Sequence, residues 1–68
     1  MQEHVQLEVS LEVIMAEIAN KMFEISNENN NFQKELIKEE LNKLIYLQEK
    51  AYKGDRKVIK KILNREFA

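Results

Sequence analysis

A single histidine, two serines and several glutamates are the side chains in this 68-residue chain that could support catalysis or metal binding. His4, Glu8 and Glu12 recur every four residues, so on a helix one imidazole and two carboxylates would share an edge and could hold a metal ion. Di-metal helical bundles use a Glu-x-x-His spacing instead, and His4 precedes every glutamate except Glu3. We interpret this edge as a solvated acidic surface and predict neither a metal nor a cofactor.

Nucleophilic and phosphate-binding chemistry also lacks its usual residues. The chain has no cysteine, and Ser10 and Ser26 have only His4 as a possible imidazole partner. The only glycine is Gly54, which excludes a glycine-rich phosphate loop. Glu35, Glu39 and Glu40 could suggest acid–base chemistry, but they are interpreted as a helix surface paired with Lys38 and Lys43. The sequence therefore predicts a protein that is not an enzyme.

Basic residues crowd the carboxyl-terminal part of the chain. From Lys50 to Arg65 there are seven basic residues and one acidic residue. The residues that could neutralise nucleic-acid phosphates are Arg56, Lys57, Lys60, Lys61 and Arg65. Lysine predominates, which favours backbone contact over base recognition. DNA or RNA binding is the alternative function, while a solvated face or an anionic membrane surface also fits this pattern.

The elements that must position these residues are predicted to be helices. Proline is absent, and Glu, Lys, Leu and Ile, most of them good helix formers, dominate the composition. Turn signals at 26–31 and at Gly54-Asp55 divide the single domain into helices over about 3–26, 31–53 and 55–67. Asn30 and Gln33 have capping-box spacing, Gly54 suits the left-handed position after a helix, and Asp55 suits an N-cap. We predict an all-α fold, an antiparallel helical hairpin plus a short third helix.

The first segment is apolar on two sides when it is placed on a helix. One stripe consists of Leu7, Leu11, Ile14, Ile18, Met22 and Ile25. A second strip, nearly opposite, consists of Val5, Val9, Val13, Ala16 and Phe23. Residues 4–13 also alternate with a period of two, so an N-terminal β-strand followed by two or three helices is the alternative fold. We favour the helix because the stripe continues to Ile25 without a turn signal.

Two parts of the chain resemble known families. The strand alternative is similar in topology to ribbon-helix-helix DNA-binding proteins, but Glu8 and Glu12 would then face the phosphates. The segment Ile37–Lys50 resembles the second helix of the helical-hairpin phosphatases that act on sporulation response regulators. Lys38 and Asn42 stand where that family has serine and aspartate, and the departure at Asn42 puts phosphatase activity in doubt.

Small size and hidden charge asymmetry both favour a partner. A domain of this length buries only about 60% of its unfolded surface, and without disulfides it depends on other support. The net charge of −1 conceals −5 over residues 1–31 and +4 over residues 32–68. We predict a homodimer or another protein partner. The predicted contacts are Val5, Val9, Val13 and Phe23, with Tyr46 added because tyrosine on a polar helix side is typical of interfaces.

These observations together predict a small non-enzymatic regulatory or adaptor protein that acts through helix-mediated protein–protein interaction. No apolar run approaches the roughly 18 residues that span a membrane, and the start lacks the basic region of a signal peptide. We expect a cytoplasmic protein without a small-molecule substrate. Abundant Lys, Asn and Ile suggest an AT-rich bacterial, phage or plasmid genome, and a phage protein would occupy the host cytoplasm.

Overall fold

A computed structural model describes residues 2–67 and contains three α-helices in them. They are α1 (Glu3–Asn27), α2 (Asn31–Tyr52) and α3 (Arg56–Leu63). The predicted all-α hairpin with a short third helix is confirmed. The alternative strand over residues 4–13 is wrong, since these residues lie within α1. A lone strand in this chain would have no neighbouring strand to satisfy its backbone hydrogen bonds, whereas a helix satisfies them internally.

The turns between the helices use the predicted capping residues. The Asn30 side chain accepts a hydrogen bond from the Gln33 backbone N–H at 3.1 Å and so begins α2. The Asp55 carboxylate accepts from two backbone N–H groups at the start of α3, at 3.1 and 3.2 Å. Between α2 and α3, Gly54 has a φ of 86°, the left-handed conformation that glycine adopts without a steric penalty. These contacts fix the direction in which the chain leaves each turn.

The third helix ends earlier than its periodicity predicted. Helix α3 stops at Leu63, and Arg65 has a φ of 57°. The Arg65 N–H donates to the Ile62 carbonyl at 2.9 Å, and the Glu66 N–H donates to the Lys61 carbonyl at 2.8 Å. This pair of hydrogen bonds is a Schellman motif, which usually has glycine at its left-handed position. Because arginine occupies that position here, the sequence carried no sign of the helix end.

All three helices contribute to one small core. The buried apolar residues are Ile14 from α1, Leu44 and Ala51 from α2, and Ile59 and Ile62 from α3. Phe67, beyond the end of α3, also packs against this cluster. The third helix is therefore a structural part of the domain, although it is only eight residues long.

One polar residue is also fully buried. Ser10 has no solvent exposure, and its hydroxyl donates to the Leu7 carbonyl at 2.8 Å. A hydroxyl that bonds within its own helix turn can be buried without an unsatisfied group. Ser10 therefore has a structural role, and His4, which is exposed, is not its hydrogen-bond partner.

Candidate protein-interaction surface

The α1–α2 hairpin has two flanks, and the C-terminal part of the chain covers one of them. A depression of about 270 Å³ on this flank is lined by Glu17 and Lys21 from α1, Glu40 and Lys43 from α2, and Phe67. The Lys21 ammonium pairs with the Glu40 carboxylate at 2.6 Å across the two helices. The hydrogen bond that the Lys21 ammonium donates to the Glu40 carboxylate raises the pKa of Lys21, and this effect exceeds the opposing effect of burial. We call this flank the covered flank.

The opposite flank of the hairpin is more apolar but less buried. Along α1, Met15 and Met22 lie on a different side from Glu17 and Lys21 by helical phase, and they are 57% and 56% exposed. The Lys21 side chain on the covered flank is only 21% exposed. Folding ordinarily buries methionine and exposes lysine. On this hairpin the order is reversed, since the half-buried lysine lies on the flank that also carries Phe67 and the exposed methionines lie on the other flank.

The uncovered flank presents apolar residues from both long helices. Helical phase places them on one side of the hairpin, where they form a continuous stripe on α1, while on α2 Gln48 lies between Ile45 and Tyr52. We call this surface the open face; it consists of Leu11, Met15, Ile18 and Met22 from α1, and Leu41, Ile45 and Tyr52 from α2. Leu11, Ile18 and Leu41 are half-buried along the middle of the hairpin, whereas the other four are exposed. An exposed apolar surface of this kind is typical of interaction sites.

The predicted association residues of α1 do not form one free surface. Val5 and Phe23 are exposed, and Phe23 is the most exposed of the large apolar side chains in residues 2–67. Val9 and Val13 are half-buried, and Val13 packs against the core. The second apolar strip is thus divided, because its middle is half-buried at Val9 and Val13, where Val13 packs against the core, while its two ends are exposed. Sequence periodicity identified two apolar sides but could not show against which side α3 would dock.

Tyr46 lies on the covered flank, away from the open face. Its side chain is 58% exposed, and the Lys50 ammonium lies 5.6 Å from the ring centroid, within the range of a cation–π contact. Tyr46 also lines a shallow pocket of about 340 Å³ with Leu47 and Phe67. The contribution of Phe67 was missed from the sequence because the third helix was predicted to continue through that residue.

The basic residues of α3 differ in their surroundings. The Arg56 guanidinium forms an ion pair with the Glu3 carboxylate, which links the start of α3 to the start of α1. Lys57, Lys60 and Lys61 are exposed and form no ion pair within residues 2–67. Arg65 is exposed beyond the helix end. The structure therefore brings three of the five predicted cationic contacts together as an unneutralised face, while Arg56 is engaged within the domain.

The acidic side chains considered for metal binding and acid–base chemistry, together with His4, lie on exposed helix surfaces. Within residues 2–67, no three His, Asp or Glu side chains come close enough to hold a metal ion. His4, Glu8 and Glu12 are each exposed along α1. Glu35 pairs with Lys38 at 3.4 Å, as expected for a helix surface.

Comparison of the chain with models of protein families, with curated proteins and with solved structures finds no match. Among the described helices, none combines the length and apolar character required to cross a membrane. The open face and the lysines of α3 are consequently the two features of the structure that bear on function.

Proposed function

We propose that the protein is a small non-enzymatic regulatory or adaptor protein that binds another protein chain through its helices. The observation that carries this proposal is the open face, where Met15, Met22 and Tyr52 are each more than half exposed beside half-buried leucine and isoleucine. Leaving this much apolar surface in water is unfavourable, and a bound helix would remove it from solvent. Methionine suits such a surface because its flexible side chain adapts to different partners.

The test places a photo-activated cross-linking amino acid on the open face of the full chain. The probe replaces Met15, and in a matched protein it replaces Glu39, an exposed residue on the polar side of α2. Irradiation of cells that express each protein is expected to give a discrete cross-linked product from the Met15 probe only. Substitution of Met22 by glutamate in the same chain should abolish that product. Equal labelling from both positions, or none from Met15, would contradict the proposal.

The lysine face of α3 supports nucleic-acid binding as a second candidate function. Lys57, Lys60 and Lys61 point into solvent from neighbouring turns and have no acidic partner within residues 2–67. Such a face could contact the phosphate backbone without reading its sequence. Three phosphate contacts would make log K fall with log salt concentration at a slope of about −2.7.

Electrophoretic mobility shifts at low salt test this second function. Changing all three α3 lysines to glutamate is expected to abolish binding to duplex DNA or single-stranded RNA. A control variant carries the same charge change at three exposed lysines outside α3, namely Lys38 and Lys43 in α2 and Lys53 directly after it. If both variants lose binding equally, the attraction reflects total charge. If the unmodified protein binds neither nucleic acid at low salt, this function is rejected.

A further inference from the structure

The open face has a regular spacing on both helices. On α1 its residues Leu11, Met15, Ile18 and Met22 follow one another at intervals of four, three and four. On α2 the same intervals connect Leu41, Ile45 and Tyr52 when the half-buried polar residue Gln48, which lies between Ile45 and Tyr52, is included. Alternating steps of three and four are typical of helices that pack lengthwise against other helices with a small crossing angle. The spacing therefore favours a helical partner that lies along the hairpin.

Both stripes are also symmetrical about nearly the same level of the hairpin. The α1 stripe has its midpoint between Met15 and Ile18. Extended to Lys34 and Lys38 at one end and Tyr52 at the other, the α2 stripe has its midpoint between Leu41 and Ile45. The Lys21–Glu40 ion pair shows which residues of the two antiparallel helices lie at the same level. In that register the midpoint of the α1 stripe and the midpoint of the α2 stripe are about 2 Å apart along the helix axes, at a rise of 1.5 Å per residue.

We propose that a second copy of this chain covers the open face, related by a two-fold axis that passes through this level at right angles to the helices. The proposal rests on the proposed function and names its partner. A two-fold axis requires a surface that matches itself, with each contact made twice. Here α1 would pack antiparallel on α1 of the second copy, so that Met15 meets the partner's Ile18. On α2, Leu41 would meet the partner's Ile45, which gives a four-helix bundle with both α3 helices outside.

Charges at the margin of the open face favour this arrangement over a two-fold axis that runs parallel to the helices. Lys38 and Glu49 lie at the outer margin of α2 and at similar distances from its midpoint. The proposed axis therefore brings each Lys38 next to the partner's Glu49. With the axis parallel to the helices, α1 would pack on α2 of the second copy, and Glu12 would lie level with the partner's Glu49. Two carboxylates repel at that position, and complementary charges set the orientation of helical interfaces in this way.

Sedimentation equilibrium of the full chain tests the association. We expect a species of twice the chain mass at micromolar concentration. Met15→Glu should raise the dissociation constant at least about tenfold, because burying an unpaired carboxylate is strongly unfavourable. Phe23→Glu changes a more exposed residue outside the open face and should leave the constant unchanged. Circular dichroism checks that both variants remain helical, as expected for substitutions at exposed sites.

Charge exchange tests the orientation. Lys38→Glu should weaken association about threefold, and adding Glu49→Lys to the same chain should restore it. Because the chain has no cysteine, a mixture of Lys38→Cys and Glu49→Cys chains should form mixed disulfide dimers under mild oxidation. A mixture of Glu12→Cys and Glu49→Cys chains should not. Cross-linking in the second mixture alone, or a failure of the charge exchange to restore association, would overturn the proposed axis.

The outcomes also separate this inference from the proposed function. A monomeric protein whose Met15 probe still gives a discrete cross-link to a different chain would overturn the second copy as partner and leave the protein-binding function standing. A monomer without any cross-link from the open face would overturn both. Loss of the dimer in Phe23→Glu but not in Met15→Glu would assign association to the second apolar strip and also overturn the inference.

Discussion

The docking of α3 can be tested through Ile62, a core residue without solvent exposure. An isolated helix of eight residues is not stable in water, so α3 must depend on packing against the hairpin. Ile62→Ala would remove most of a fully buried side chain and leave a cavity between the helices. Such substitutions destabilise by about 2–5 kcal/mol, depending on how far the site collapses. We expect Ile62→Ala to lie in that range.

This loss is large compared with the total stability of the protein. At about 0.05–0.15 kcal/mol per residue, a chain of 68 residues has a free energy of unfolding of about 3–10 kcal/mol. Ile62→Ala should therefore remove about a fifth of that stability or more. Urea unfolding followed by circular dichroism would measure the change, with all proteins at one concentration because association also affects stability.

The matched control for Ile62→Ala is Leu36→Ala in α2. Leu36 is 39% exposed and lies outside the buried core. Its replacement should cost about 1 kcal/mol, since much of the side chain is already in water. If the urea midpoints of the two variants coincide, or if Ile62→Ala changes stability by less than about 0.5 kcal/mol, the docking of α3 onto the hairpin is refuted.

Three further predictions concern the turns and the ion pair between the long helices. Asp55→Ala removes the acceptor at the start of α3 and should cost about 1 kcal/mol in urea unfolding, whereas Asp55→Asn should retain most of the stability. Gly54→Ala should lower the free energy of unfolding by about 1–2 kcal/mol, because alanine is strained at this positive φ. A Cβ at this position would meet no atom within 4 Å, so no steric clash adds to the cost. An unchanged urea midpoint would contradict this prediction. Because the pKa of Lys21 is raised above 10.5, its contribution to stability should be complete below pH 10.5 and disappear as pH rises through the folded value. Since the Glu40 side chain is 53% exposed, the stability difference between the unmodified protein and Lys21→Met should be under about 1 kcal/mol and shrink at high pH.

Local signals in the sequence were sufficient to predict the helices and their turns. The cap at Asn30, the left-handed Gly54 and the cap at Asp55 each depend on neighbouring backbone atoms only, so residue type and spacing identify them. The end of α3 was not predictable in this way. Arg65 adopts a left-handed conformation that costs an L-amino acid about 1–2 kcal/mol, and the contact of Phe67 with the core accompanies that turn.

The position of the open face was less predictable, because it depends on where a short third helix docks. Periodicity showed that α1 is apolar on two sides, and the strip with Val9 and Val13 was expected to be free. In the structure Val13 contacts the core and Ser10, a small polar residue, is fully buried. From the sequence, a serine between apolar positions is expected to face solvent. The Ser10 hydroxyl instead donates to the Leu7 carbonyl of its own helix and needs no other partner.

The exposure of the open face follows from the connection between α2 and α3. Only the residues between Tyr52 and Arg56 join these helices, and the Gly54 N–H and Asp55 N–H are held by carbonyls of the last turn of α2, at 2.9 and 3.1 Å. So short and constrained a turn allows α3 to dock on one flank of the hairpin only. An eight-residue helix cannot cover both flanks in any case. The chain thus completes its core on the side with Lys21 and leaves Met15 and Met22 exposed on the other, and a second hairpin has the length and the apolar stripe needed to cover them.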